Sequence, residues 1–235
     1  MKTVVIAQPT YLPWMGYFYL IQESDVFVFL DSVQFEKQSW QCRNKIKGPN
    51  GEIILTVPIV RNRLDQNIKD VKINNSFDWQ RKHHESIRAS YANALHFKEY
   101  RGFLEKIYKN EWNLISQLNM EIIKHITNIL GFKTEFLQSS DMQAKGKATE
   151  LVVNICKEVG ADRYIASAGA RVYMKPHEHL FKDCGIKLEY LDYKHPVYPQ
   201  RFGDFIPHLS VIDVMLNCGK DSRDLIIQGG SCVSY

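Results

Sequence analysis

Residues 3–30, TVVIAQPTYLPWMGYFYLIQESDVFVFL, decide how this chain folds. Thr3–Ala7 (TVVIA) and Val26–Leu30 (VFVFL) are unbroken apolar, β-favouring runs, the pattern of strands covered on both faces. Gln8 and Pro9 end the first run, Pro13 closes the loop behind it, and Trp14–Glu23 reads as a helix. Strand, loop, helix, strand in so short a stretch is a βαβ unit, whose crossover makes the two strands parallel. The predicted fold class is α/β: a mostly parallel central sheet flanked by helices.

Outward from this unit, Arg43–Lys47 and Ile53–Pro58 surround the turn sequence GPNG and read as a hairpin. Ile68–Ile73 alternates apolar and polar residues, a further strand. Trp79–Tyr91 and Phe97–Lys109 are predicted helices. A longer helix is expected over Glu111–Leu130, where Ile115, Leu118, Ile122, Ile126 and Ile129 form one stripe and Gly131 closes it. Thr134–Gln138 and Arg163–Ala166 read as strands around a helix at Lys147–Val159. Lys187–Leu191 is expected as the last strand and Ser210–Leu216 as the final helix, with Ser210 and Asp213 spaced as a capping box. The expectation is one α/β domain over residues 1–235, with a helical middle lobe at about 79–130.

Composition agrees with a packed core. Of 235 residues, 45% are hydrophobic and 24% charged, which excludes disordered and low-complexity classes. Area scaling has roughly 70% of the unfolded surface buried on folding. The net charge of +4 is spread along the chain rather than gathered in a stripe, so small anions are expected as ligands and nucleic acid is not. Five cysteines, an odd number without CxxC spacing, fit a reducing cytoplasmic compartment. The apolar run before Gln8 is too short for a secretory core, and no run reaches the roughly 20 residues of a membrane span.

AQPTYLPWMGYF, then FVFLDSVQFEKQSWQCRNKIKGPNG and LTVPI, resembles the N-terminal signature of the WbqC-like family. TELVVNICKEVGADRYIAS, GIKLEYLDYKHPVYPQ and FIPHLSVIDVMLNCG are similar to its second half, so the resemblance spans nearly the whole chain. Ala7 departs from the pattern, since relatives often carry His there, and no role for that His is carried over. The resemblance implies a part in bacterial surface polysaccharide (O-antigen or capsule) biosynthesis. It further implies modification of a nucleotide-linked amino sugar by acyl or aminoacyl transfer.

Ligands of open parallel sheets bind outside the carboxyl ends of the strands, which selects the Gln8–Tyr17 loop. Gln8 and Tyr11 offer hydrogen bonds there, and Trp14 and Tyr17 offer stacking faces; packing aromatics are the plain alternative. Asp31 ends the second strand with Gln34 and Lys37 beyond it, as a base, a sugar ligand, a metal ligand or a turn opener. Arg43, Asn44, Lys45 and Lys47 make a basic arm suited to a diphosphate, or a charged strand edge. Ser167, Gly169, Arg171 and Tyr173 follow a strand, where backbone amides suit a phosphate or oxyanion. His195 and His208 are candidate general bases, near Tyr198 and Gln200 of the YPQ sequence, which is similar to the family's C-terminal motif.

Cys42 beside Arg43 reads as an inert buried thiol before a nucleophile. His83-His84-Glu85 and His177-Glu178-His179 lack a third ligand and match no HExxH, so no metal is expected. Asp213 reads as a helix cap before a catalytic group.

Three functions compete. The first is a transferase with a nucleotide-sugar substrate, no tightly bound cofactor, and a co-substrate donor. That donor is coenzyme A, a thioester on an acyl carrier protein, or an aminoacyl donor. The second is an adenylating nucleotidyltransferase, because Trp14-Met15-Gly16-Tyr17 has the layout of an HxGH motif with both histidines replaced. The third is a non-catalytic sugar-nucleotide binder in a polysaccharide assembly complex.

Overall fold

The computed structural model describes residues 1–60 and 66–234. Its strands are β1 (Thr3–Ala7), β2 (Val26–Phe29), β3 (Arg43–Gly48), β4 (Gly51–Thr56), β5 (Glu135–Gln138), β6 (Arg163–Ala166), β7 (Lys187–Tyr193) and β8 (Gly230–Val233). The helices are α1 (Met15–Gln22), α2 (Trp79–Tyr91), α3 (Phe97–Lys109), α4 (Ile115–Ile129), α5 (Ala148–Glu158), α6 (Arg171–Met174), α7 (His179–Asp183), α8 (Val211–Cys218) and α9 (Ser222–Gly229). Six strands form one sheet in the order β5-β2-β1-β6-β7-β8, and β3 and β4 form a separate antiparallel hairpin. Every pairing in the large sheet is parallel except β7 with β8. Counting its strands along the chain gives the doubly wound order 3-2-1-4-5-6. The chain steps from β1 out to β5, then returns to the other side of β1 at β6, so the order reverses between β1 and β6.

Alternation along the buried strands sends neighbouring side chains to opposite faces. Val5, Phe27, Phe29 and Ile165 join an apolar cluster with α1, the α2–α4 helices, α8 and the hairpin. Val4, Ile6, Val26, Val28, Tyr164 and Ala166 join a second with α5 and Phe181 of α7. The layering is helix, sheet, helix, as the unbroken runs in β1 and β2 required.

Several boundaries differ from the sequence expectation. Ile68–Asp70 is a 3-10 turn, not part of a strand; the period-two signal there survives only as single bridges, Ile73 to Ile59 and Lys72 to Leu114. That last bridge holds Leu114 extended, so α4 begins at Ile115 rather than Glu111. Within its stripe Ile115, Leu118, Ile122 and Ile126 are fully buried, whereas Ile129 is 37% exposed. Neither β7 nor α8 is last: α9 and β8 follow, and β8 closes the sheet edge against β7. Its sequence GSCV carries little apolar signal because one side of an edge strand is unpaired. Gly230 lets it approach, since a Cβ there would stand 2.2 Å from the Tyr19 ring.

Among the described residues no helix is long and apolar enough to cross a membrane.

Candidate functional site

The loop Gln8–Trp14 crosses the carboxyl edge of the sheet at β1. Leu12 sits at φ 44 immediately before Pro13. That left-handed state costs a branched residue roughly 1–3 kcal/mol and persists only when its surroundings dictate it. Buried Asn44 supplies the constraint, with Nδ2 donating to the carbonyls of Leu12 at 2.6 Å and Tyr11 at 3.0 Å. Asn119, fully buried on α4, donates to the carbonyls of Pro9 at 3.0 Å and Gln41 at 2.7 Å. Gln41 in turn donates from Nε2 to Gln8 Oε1 at 2.7 Å. Asn44 is thus a clamp on the loop, and Gln8 stands at its half-buried edge.

Tyr11 lies beneath the loop with no exposed surface. Its hydroxyl meets Tyr108 Oη at 2.6 Å and His83 Nδ1 at 2.8 Å, while His83 Nε2 donates to the Thr56 carbonyl at 3.2 Å. Burial pushes the His83 pKa down from 6.5 to about 4, against the opposing pull of the Thr56 bond. The unfolded chain therefore binds the extra proton between those values. Stability from this group is complete above pH 6.5 and falls as the pH drops toward 4, by roughly 3 kcal/mol in all. Urea midpoints measured across that range should show the slope, and His83→Gln should remove this component.

Trp14 caps α1, and its ring meets Tyr193 edge-on at 5.1 Å and His208 at 5.3 Å. The indole also lies over Gly16, where a Cβ would approach it to 2.3 Å. Tyr17 is buried and donates its hydroxyl to the Gln8 carbonyl at 3.0 Å. Of the residues standing at the histidine positions of an HxGH layout, Tyr17 is occupied in packing, and half-buried Trp14 covers the surface above Gly16 with one part of its ring.

His195 and His208 come together beside Trp14, their rings 5.3 Å apart. The His195 Nδ1–H donates to the Pro196 carbonyl at 3.1 Å, which leaves the lone pair on Nε2. That Nε2 is buried with no hydrogen-bond partner among the described residues. Burial lowers the His195 pKa, with a further contribution from His208, while the Pro196 bond opposes them. The ring is a neutral imidazole presenting an unprotonated nitrogen.

Below this loop lies a buried polar network that sequence reading missed. Asp213 accepts from Tyr91 Oη at 2.7 Å and Tyr198 Oη at 2.8 Å. Lys47, 2% exposed, donates to Gln200 Oε1 at 3.1 Å and the Asp204 carbonyl at 2.5 Å. Gln200 also bonds Tyr198 Oη and the main chain of Ile206, so Tyr198 and Gln200 support the histidine loop from below. Asp213 is accordingly no capping-box partner. Ser210 caps α8 alone, accepting from the Ile212 amide at 3.4 Å. A lone carboxylate inside the apolar run VIDVML was the available sequence signal.

The remaining candidates separate. Continuing the β1–β6 register by two places brings Ser167 level with Ala7, across the switch point from Gln8. Asp31, 2% exposed, accepts from Ser139 Oγ and from the amide and hydroxyl of Ser140, which ties β2 to the turn after β5. Its carboxylate is consumed structurally. Gln34 is exposed and bridges to Asn67. The basic arm divides three ways. Lys45 pairs with Glu52 at 2.7 Å, Lys47 is buried, and Arg43 lies beside Trp40 and lines a separate cleft with Lys37. Tyr173 is half-exposed on α6. Cys42 is 4% exposed and its pKa is raised by burial in spite of Arg43, so the inert reading of its thiol stands. Among the described residues no group of three or more metal-ligating side chains converges.

The architecture is a mixed α/β fold with a doubly wound strand order, and aromatic and imidazole side chains stand at the carboxyl edge beside its switch point. The chain belongs to the WbqC-like protein family, whose profile matches residues 8–225. It is 34% identical over 229 residues to a Mycobacterium tuberculosis protein, "Uncharacterized protein Rv1507c", covering 96% of this chain and 98% of that one. No solved structure matches it.

Proposed function

We propose that this chain is a cytoplasmic transferase that acylates or aminoacylates the amine of a nucleotide-linked amino sugar for a bacterial surface polysaccharide. The observation that carries the reading is the unpartnered Nε2 of His195, a neutral imidazole beside Trp14 and His208 at the carboxyl edge of the sheet. A buried base of this kind suits removal of a proton from an amine near neutral pH. The amine nitrogen attacks the carbonyl carbon of the donor. An N–C bond forms, and the bond from that carbon to its leaving group breaks. Nε2 takes the amine proton and returns it to the leaving group. Trp14 offers a ring for base or sugar, Gln8 a hydrogen bond, and the backbone amides from Ser167 onward serve as donors to the oxyanion.

Thermal shift and calorimetry across dTDP-, UDP- and GDP-amino sugars, with free nucleotides and ATP beside them, test the binding half. One sugar nucleotide at 100 times its Kd should stabilise the fold by about 2.7 kcal/mol, and Trp14→Ala should abolish the shift. Binding of ATP alone, with cleavage to AMP and pyrophosphate, would replace this reading with the adenylating one.

A further inference from the structure

A second cavity, of about 850 Å³, opens between the β3–β4 hairpin and the segments near residues 35–38, 57–60 and 66–77. Its walls are apolar at Val57, Ile59, Val71 and Phe77. Phe77 is 57% exposed, a large ring left in water at the rim. The charged groups are both cations, Lys37 and Arg43, and none of the described lining residues is acidic. The Arg43 guanidinium lies 5.9 Å from the centroid of the Trp40 ring, so its position is supported from one side. Gln38, Gln66 and Asn74 add amide side chains among the apolar ones.

These features describe one ligand chemistry. Apolar walls with two cations, and no carboxylate among the described lining residues, select an amphiphilic anion. Asn74 is already held by Ser76, but Gln38 and Gln66 have no side-chain partner among the described residues; a plain hydrocarbon tail would leave them so, whereas a chain that alternates short apolar segments with amide groups gives them partners. Chain connectivity links the cavity to the loop after β1. Cys42 and Arg43 follow Gln41 directly, and Gln41 bonds Gln8 at the end of β1.

We propose that this cavity is the donor site and takes the phosphopantetheine arm of an acyl thioester, with Arg43 and Lys37 on its phosphate. The assignment rests on the transfer reading. It selects the thioester class from the three possible donors and gives Arg43 to the donor rather than to the sugar nucleotide. A carrier-protein thioester and a coenzyme A ester share this arm. The inert Cys42 thiol in the wall gives the acyl group no acceptor at that position.

The test is calorimetric titration with 4′-phosphopantetheine, which has no nucleotide and so leaves the proposed sugar-nucleotide site out of the measurement. The wild-type protein should bind it with one site. Arg43→Glu should weaken binding by at least tenfold, the loss of one charge-assisted bond. Thr56→Trp, at an exposed position of the cavity wall, should weaken it by as much through filling the space. Absence of binding, or equal binding by both variants, overturns the proposal. So does tighter binding of dodecyl phosphate, which would mark a lipid site, or equal binding of inorganic phosphate, which would mark an anion site alone. Sugar-nucleotide binding, read in the same samples, fails or succeeds separately and reports on the transfer reading itself. If the proposal holds, coenzyme A and a phosphopantetheinylated carrier protein, compared next, identify the source of the arm.

Discussion

In the proposed transfer, replacing His195 with alanine is expected to lower kcat for acylation of the sugar amine by 10²- to 10⁴-fold, the usual worth of a positioned general base. The sugar-nucleotide Kd should change little, because the stacking and hydrogen-bonding groups remain. The reason for so large an effect is the tautomer. Pro196 holds the proton on Nδ1 and leaves Nε2 as a buried lone pair without a partner among the described residues. Burial keeps the ring's pKa below its ordinary 6.5, so the base is already deprotonated at neutral pH. The acid limb of kcat should therefore lie below pH 6.5, with activity rising through the lowered pKa and level above it. His208→Ala should move that limb upward, because His208 contributes to the lowering. A wild-type limb at or above 6.5, or full activity in the alanine variant, would remove His195 from the mechanism.

Asp213→Ala should be the most destabilising single replacement, at about 3–5 kcal/mol, the typical penalty for leaving a buried charge uncompensated. It would strand the hydroxyls of Tyr91 and Tyr198 and take away the carboxylate on which the charge of Lys47 acts. For a chain of this size that corresponds to a fall in Tm of roughly 10–15 °C. Lys47→Met should cost a comparable amount, since Gln200 Oε1 and the Asp204 carbonyl lose their common cationic donor. The double variant Lys47→Met/Asp213→Leu should cost clearly less than the sum, because neither charge is then left alone. Additive losses in denaturant melts would show that the two groups do not act as one network. The same network holds the loop of His195 and His208, so the single variants should also lower kcat more than they raise KM.

The fold was legible from local pattern wherever burial on two faces forced unbroken apolar runs. β1 and β2 were readable for that reason, and α4 from its apolar stripe. β8 was not, because an edge strand needs only one partner and tolerates GSCV. The turn at Ile68 was misread because alternation by itself does not distinguish a strand from a 3-10 turn with flanking bridges.

The site was legible in part. Trp14, His195, His208, Tyr198 and Gln200 share one region, and Gln8 lies across the switch point from Ser167. Tyr11, Asn44 and Asp31 are buried with their hydrogen-bonding groups committed to tyrosine, histidine, serine or main-chain partners. Residue type suggested chemistry at these positions, but type says nothing about which neighbour consumes a polar group.

By itself the sequence determined the layered α/β class, the parallel βαβ start, the hairpin and the family, since all of these follow from hydrophobic period, turn residues and contiguous motif. Only the tertiary structure decided the strand order that puts the switch point at β1 and β6. It alone turned Lys47 and Asp213 inward, split the basic arm and left Nε2 of His195 without a partner among the described residues. Those outcomes depend on contacts between residues far apart in the chain, and the energy of a polar group is set by what surrounds it rather than by its neighbours in sequence.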